Sequence, residues 1–185
     1  MANYSVLGIC GSLRKQSYNL GALHAAGELM PEGMALTITR YDAIPLFNQD
    51  MEAHGAPDAV LQLAQEIRDA DALLIASPEY NFSIAGVLKN AIDWLSRQKP
   101  QPLKDKPVAL MSATLGPVGG ARHQYEVRKI LGCLEALVMP KPEVFINLCG
   151  PKFDAEGRLV DAAARKAVED QMAAFGVWTG RMLGR

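Results

Sequence analysis

The strongest constraint on the fold of this chain is the alternation of short apolar runs with stretches of helical periodicity. Five apolar runs predict strands, at residues 6–10, 35–41, 71–76, 107–112 and 144–148. Most of these runs are continuously apolar rather than alternating, as expected of strands that are buried on both faces. Apolar side chains at helical spacing predict five helices, over 20–30, 57–67, 84–95, 127–137 and 164–182. Such a chain folds through right-handed βαβ units into a parallel sheet covered by helices on both faces.

The number of strands then selects the fold class. Five strands fit the order 2-1-3-4-5 of a flavodoxin-like α/β three-layer sandwich better than a six-stranded dinucleotide-binding domain. A length of 185 residues is enough for one such domain and short for two, so residues 1–185 are expected to form a single domain. In this order, ligands bind beyond the carboxyl ends of the strands. The loops after strands one, three and four are therefore the candidate site, whereas 42–56 is expected to be a plain loop.

Charge, cysteine content and the first residues argue against several classes of protein. Lys plus Arg number 19 and Asp plus Glu number 20, a balance that argues against a nucleic-acid-binding domain. The longest uncharged stretch, 107–121, is interrupted by Pro and Gly, so no transmembrane segment is expected. Because the first residues carry no signal-peptide pattern, we expect a cytoplasmic protein. Without C-x-x-C or metal-ligand spacing, three cysteines are interpreted as small apolar residues: Cys10, Cys133 and Cys149.

The loop after the first strand has the chemistry of a phosphate site. A helix amino terminus offers free backbone N–H groups and a positive dipole end, and an Arg fork can grip a phosphate. The G-x-G-x-x-G fingerprint and the P-loop pattern are both absent. The alternative is a polar helix cap with solvated Arg14 and Lys15, but we favour phosphate binding because the donors converge on one turn. The loop reads Gly11-Ser12-Leu13-Arg14-Lys15-Gln16-Ser17-Tyr18-Asn19.

Two further unusual loops follow strands three and four. The loop 77–83 contains Pro78 and can lay backbone groups along a flat polar ring. Its side chains also have plainer interpretations, with Glu79 capping the next helix and Tyr80 lying in the core. The loop 112–122 is rich in glycine, which allows either close approach to a ligand or hinge motion. Each loop alone could be structural, but all three fall on one edge of the predicted sheet.

Together the loops resemble those of the NADPH-dependent FMN reductase family. The first loop matches that family's phosphate motif, G-S-L-R-x-x-S-x-N. Its second motif is similar to Ser77-Pro78-Glu79-Tyr80-Asn81 followed by Leu88-Lys89-Asn90 and Asp93-Trp94. A segment of its quinone- and chromate-reducing branch is similar to Gly119-Gly120-Ala121-Arg122 with Tyr125 and Arg128. The resemblance covers nearly the whole chain, and the clear departure is Phe82, where that branch commonly has Tyr.

The resemblance implies a flavodoxin-like fold that binds FMN non-covalently. By motif, the phosphate would be held by Ser12, Arg14, Ser17 and Asn19, with Tyr18 beside them. The isoalloxazine ring and ribityl chain would contact Pro78, Glu79, Tyr80 and Asn81, and the ring would be bordered on its other side by Ser112, Ala113 and Thr114. The entrance for nicotinamide or substrate would be shaped by Gly119, Gly120 and Arg122. The family also implies homodimers or homotetramers, with the helix over 86–97 near the partner.

The expected activity is ping-pong transfer from NADPH or NADH through FMN to a quinone or similar acceptor, with chromate, azo compounds and free flavin as further candidates. Since the flavin supplies the hydride chemistry, no residue is nominated as catalytic. Two other functions fit the same loops. A flavodoxin-type electron carrier is disfavoured because the charge balance offers no docking face, and a redox sensor is supported only by Cys10. His123 is the histidine placed where it could touch substrate, and the choice of nicotinamide stays open.

Overall fold

Residues 3–184 are described by a computed structural model. The strands are, in chain order, β1 (Tyr4–Cys10), β2 (Met34–Thr39), β3 (Ala72–Ala76), β4 (Glu79–Tyr80), β5 (Ser83–Ile84), β6 (Pro107–Ala113), β7 (Leu137–Val138) and β8 (Val144–Ile146). The helices are α1 (Tyr18–Glu28), α2 (Gln49–Glu52), α3 (Asp58–Asp69), α4 (Gly86–Ser96), α5 (Ala121–Cys133) and α6 (Ala162–Leu183), with a 3-10 turn at Gly150–Lys152.

The large sheet is parallel and has the order β2-β1-β3-β6, with both β7 and β8 paired to β6. In register, Val6 of β1 lies opposite Leu36 on one side and Ala72 on the other. β4 and β5 form a separate antiparallel hairpin. The predicted flavodoxin-like order is confirmed, with the fifth position shared by two short strands.

That fifth position differs in detail from the sequence expectation. The helix predicted over 127–137 is wrong at its end, because α5 stops at Cys133, Glu135 turns the chain with a φ of 61°, and Leu137 belongs to β7. Pro140 and Pro142 lie between β7 and β8. Since proline has no N–H to donate, the ladder along β6 is interrupted there.

Two short elements lie in segments that were expected to be loops. Asn48 caps the single turn α2, its Oδ1 accepting from the N–H of Asp50 at 2.9 Å. In the β4–β5 hairpin, Asn81 and Phe82 take φ values of 50° and 65°. Positive φ at two successive residues is what a tight hairpin turn requires, so the loop after β3 has a defined shape.

Two layers of helices cover the sheet. On one face α1 and α6 pack together, and Leu23 and Phe175 are fully buried there. On the other face α3, α4 and α5 bury side chains such as Leu63 and Leu95. Every residue of β3 and β6 is buried, which accounts for their continuously apolar sequences. Among residues 3–184, no helix is long and apolar enough to cross a membrane.

Candidate functional site

The carboxyl ends of β1, β3 and β6 open into a cavity of about 410 Å³. These strands are neighbours in the sheet, so the loops that follow them meet although they lie far apart in the sequence. The cavity is lined by Ser12, Arg14, Ser17, Tyr18, Asn19, Pro78, Glu79, Tyr80, Ala113, Thr114, Leu115 and Gly116. The place predicted for a ligand is thus a real concavity, within the range of about 300–1,000 Å³ typical of ligand sites.

The loop after β1 is held closely against the loop after β3. The N–H of Gly11 donates to the carbonyl of Ala76 at 2.7 Å. A Cβ atom at Gly11 would lie 2.2 Å from the Oγ of Ser77, so only glycine lets the two loops pass at this distance. Ser17 caps α1, its Oγ accepting from the N–H of Asn19 at 3.2 Å. The loop therefore enters α1 through a defined N-cap.

Positive charge collects at this end of the cavity. The guanidinium of Arg14 packs over the ring of Tyr18, with 5.1 Å from Cζ to the ring centroid, and no described carboxylate pairs with it. Together with the positive dipole end of α1, this guanidinium gives this end of the cavity a positive potential, which favours an anion.

Asn19, one of the residues predicted to hold the phosphate, joins two walls of the cavity. Its Nδ2 donates to the carbonyl of Ala113 at 2.9 Å, and its Oδ1 accepts from the N–H of Ala113 at 2.9 Å. The side chain is buried, so its amide joins α1 to the end of β6 and fixes the distance between two walls of the cavity. The hydroxyl of Tyr41 donates to the carbonyl of Cys10 at 2.8 Å and so holds the end of β1 in place.

The hairpin after β3 is anchored to the start of α5. Glu79 accepts from the backbone N–H of His123 at 3.3 Å and from Nη1 of Arg122 at 3.1 Å. The guanidinium of Arg122 also lies over the ring of Phe82, 4.1 Å from its centroid. Glu79 thus does cap a helix, as one alternative held, but the helix is α5 rather than α4. Glu79 also lines the cavity, beside the exposed Tyr80.

Five of the predicted site residues lie outside the cavity wall, and one of them is Arg122, which belongs to α5. Ser112 is fully buried, where its hydroxyl donates to the carbonyl of Gly119 and accepts from Nε2 of Gln124 at 2.8 Å. Asn81 occupies the tip of the hairpin. Gly119 and Gly120 are buried with φ values of 66° and 87°, and they turn the chain into α5. Ser112 therefore joins this turn to α5 through its hydroxyl.

The fold brings the predicted cofactor-binding residues together. All of these residues except Asn81 and Ser112 line one cavity. Leu115 and Gly116 also line it and were missed, although they directly follow Thr114 in the same loop. The sequence signal for these two residues is their position in a glycine-rich loop that directly follows a predicted buried strand.

His123 and Cys10, whose roles the sequence leaves open, are both buried. His123 is buried, its Nδ1 lies 2.6 Å from the carbonyl of Gly120, and burial lowers the pKa of its imidazole. Its ring is not part of the cavity wall. Cys10 is also buried, and burial raises the pKa of its thiol, which disfavours the reactive thiolate that a redox sensor needs.

Comparisons with known proteins agree with this geometry. The sequence model of the NADPH-dependent FMN reductase family matches residues 4–149. An NAD(P)H-dependent FMN reductase of Pseudomonas aeruginosa is 49% identical over 179 residues, covering 97% of each chain. A quinone reductase of Escherichia coli is 41% identical over 180 residues, covering 96% of each chain. Among solved structures, the flavoenzyme NAD(P)H:(acceptor) oxidoreductase FerB of Paracoccus denitrificans has a TM-score of 0.87 at 31% identity, covering 97% of this chain and 98% of its own.

Proposed function

Since this chain belongs to the NADPH-dependent FMN reductase family, we propose that it holds FMN in the cavity at the carboxyl edge of the sheet and reduces quinones or similar small acceptors with NAD(P)H. The observation that carries the assignment is the meeting of three distant loops around one cavity. That cavity has an anion site at the loop after β1 and backbone walls from the loops after β3 and β6.

The phosphate end fits FMN by the chemistry of its donors. Ser12 and Ser17 offer hydroxyls, and Arg14 offers a guanidinium that pairs with no carboxylate among residues 3–184. A phosphomonoester carries close to two negative charges and several acceptor oxygens, so it matches this set. Gly11 also fits, because any side chain there would displace the loop from Ser77.

The ring end fits a flat polar heterocycle. Pro78, Glu79 and Tyr80 border the cavity from the end of β3, and the stretch 113–116 borders it from the end of β6. Both segments are fixed from behind, the first by α5 through Glu79 and the second by Asn19. Rigid backbone walls of this kind orient a ligand without spending side-chain entropy on it.

When bound, FMN takes a hydride from NAD(P)H and gives two electrons to an acceptor in a second half-reaction. The chain itself binds and orients. The α1 amino terminus and Arg14 offset the phosphate charge, while the Asn19–Ala113 pair holds the two ends of the cavity at a fixed spacing. Glu79 is occupied by two donors from α5, so it acts as a wall rather than as a base.

The exposed side of the cavity supports flat aromatic acceptors. Tyr80 and Leu115 line it and are 53% and 67% exposed. Large apolar groups that face solvent at the mouth of a site favour a planar ring over a hydrated anion. The relatives named as quinone reductases support the same class of acceptor for this chain.

No observation in residues 3–184 favours the carrier or the sensor function. The relatives are named as reductases rather than as electron carriers. We also infer that residues 1–185 act as one domain. We further infer that the chain forms a homodimer or homotetramer, with α4 close to the interface. The support is Leu46, which is 82% exposed and lies with Val87 of α4 in one apolar groove.

Steady-state kinetics on FMN-loaded protein test this function. We expect parallel double-reciprocal plots for NAD(P)H against a quinone, because the two substrates use the site in turn. The matched control is the same protein freed of FMN, which should be inactive until FMN is restored. A protein that binds no FMN, or that binds FMN but oxidises neither nicotinamide, overturns the proposal.

A further inference from the structure

An uncharged apolar surface adjoins the mouth of the cavity, beyond the carboxyl ends of β6 and β8. It is formed by two segments, 113–121 and 144–151, neither of which contains a charged residue. The most exposed large apolar side chains of these segments are those of Leu115 and Leu148, at 67% and 54%. We call the surface around these two leucines the apolar shelf. Because Leu115 also lines the cavity, the shelf is continuous with the cavity mouth.

Backbone hydrogen bonds hold the two segments of the shelf together. The N–H of Leu148 donates to the carbonyl of Gly116 at 3.2 Å. The N–H of the next residue, Cys149, donates to the carbonyl of Thr114 at 3.0 Å. Thr114 and Gly116 both belong to the cavity wall. Leu148 is therefore fixed beside that wall by the same contacts that shape it.

The backbone conformation at Leu148 makes leucine an unfavourable residue there. Its φ is 43°, in the left-handed region that glycine and asparagine enter at less cost than a bulky side chain. The side chain is more than half exposed, so burial in the core does not compensate for the strain. Strained residues that persist at the edge of a binding site point to a role in what the site binds. The side chain of Leu148 is thus explained by a ligand rather than by the fold.

The chemistry of the shelf suits a hydrocarbon chain. Large apolar side chains that face solvent beside a site mark a surface for an apolar ligand or partner. In the proposed function FMN occupies the cavity, so the ring of the acceptor meets it at the mouth and the substituents of that ring lie outside. A substituent that crosses Leu115 reaches Leu148 and removes apolar area from water on both sides. The interface inferred for α4 involves Leu46 and Val87, which lie in other parts of the chain.

We propose that Leu115 and Leu148 bind the hydrocarbon substituent of the acceptor, so that this enzyme prefers alkylated or prenylated quinones to quinones without such a chain. The inference rests on the proposed function, because the shelf selects an acceptor only if the quinone ring meets FMN in the adjoining cavity. The substituent takes no part in the chemistry. The quinone still gains a hydride equivalent from NAD(P)H and a proton from solvent, and it leaves as the hydroquinone.

Equilibrium binding to the oxidised, FMN-loaded protein tests the shelf without turnover, since a quinone and an oxidised flavin exchange no electrons. The probes are trimethylbenzoquinones whose remaining ring position carries a methyl, a prenyl or a geranyl group. Their fully substituted rings do not alkylate the exposed Cys133. The change in flavin absorbance gives the Kd, which should fall about tenfold from the methyl to the prenyl compound. In Leu148→Asn this gain should drop to about twofold.

The choice of variants separates the shelf from the fold and from general lipophilicity. Leu148→Asn should unfold at no lower temperature than the wild type, because asparagine adopts positive φ at less cost than leucine. Leu148→Met keeps an apolar side chain and should keep most of the gain. The matched control is Val177→Asn, which removes a side chain that is 76% exposed on α6, near Pro31 and Met34. This control should show the full gain of the wild type.

Kinetics with NAD(P)H supply the second arm, in which kcat/KM should rise from the methyl to the prenyl compound and rise less in Leu148→Asn. Equal affinity of the wild type for the two compounds, or a full gain in Leu148→Asn, overturns the inference. A change in oligomeric state of Leu148→Asn, measured by light scattering, identifies the shelf as an interface between copies and also overturns it. A wild-type enzyme that reduces all these quinones equally well refutes this inference alone, whereas one that reduces none refutes the proposed function.

Discussion

Replacing Arg14 by Ala tests the phosphate site with little risk to the fold. Arg14 is exposed, pairs with no described carboxylate, and its guanidinium packs over the ring of Tyr18, at 5.1 Å. Its loss should therefore leave the thermal unfolding of FMN-free protein nearly unchanged. A charge-assisted hydrogen bond contributes about 1.5–3 kcal/mol, so the Kd for FMN should rise about 10- to 150-fold.

Fluorescence titration of FMN-free protein measures this change, and riboflavin supplies the matched ligand because it lacks the phosphate. The Kd for riboflavin should be the same in Arg14→Ala and in the wild type. Arg14→Lys should lie between them for FMN, since a lysine keeps the charge without the bidentate fork. Equal FMN affinity in Arg14→Ala and wild type would refute the phosphate assignment. Equal losses for FMN and riboflavin would show that Arg14 shapes the cavity instead.

Three further predictions concern the frame of the site. Gly120→Ala should lower the free energy of unfolding by about 1–3 kcal/mol, because φ is 87° and a Cβ would lie 2.8 Å from Ser112. Denaturant unfolding should show no comparable loss for Gly116→Ala, whose Cβ would meet nothing within 4 Å. Equal losses in the two variants would contradict the reasoning. Burial lowers the pKa of His123 below its usual 6.5. The unfolded state therefore binds the extra proton, and the free energy of unfolding should fall as pH drops below about 6.5. His123→Gln should lose less stability over this pH range, and a pH profile identical to that of the wild type would contradict the prediction. Under native conditions a small alkylating agent should modify the exposed Cys133 rapidly and the buried Cys10 and Cys149 slowly. Rapid labelling of Cys10 or Cys149 would contradict their burial.

The sequence predicted the fold better than it predicted individual contacts. Continuous apolar runs were enough for the strand order, because strands buried on both faces have few other arrangements. The break between β7 and β8 was harder to see, since it depends on where Pro140 and Pro142 fall against β6. The end of α5 depends on Glu135 adopting positive φ, which no local pattern indicated.

At the site, the sequence identified the loops but not the partners of each side chain. Asn19 was correctly placed near the cavity, yet its amide pairs with Ala113, which is 94 residues away. Ser112 lies near the end of the buried strand β6, and the direction of its hydroxyl is set by its hydrogen bond to the carbonyl of Gly119. Arg40 lies at the end of a predicted edge strand, and its closeness to the phosphate loop follows from the pairing of β2 with β1. Long-range contacts of this kind carry no local signal.

The most direct test of the account is the pair of half-reactions, measured without oxygen on the FMN-loaded protein. NADPH alone should bleach the visible absorbance of the complex, with one nicotinamide consumed per FMN. A quinone added afterwards should restore that absorbance in equal amount and without any partner protein. An absorbance that NADPH leaves unchanged, or that recovers only when another protein is supplied, would contradict the central claim that this cavity holds FMN for direct transfer to small acceptors.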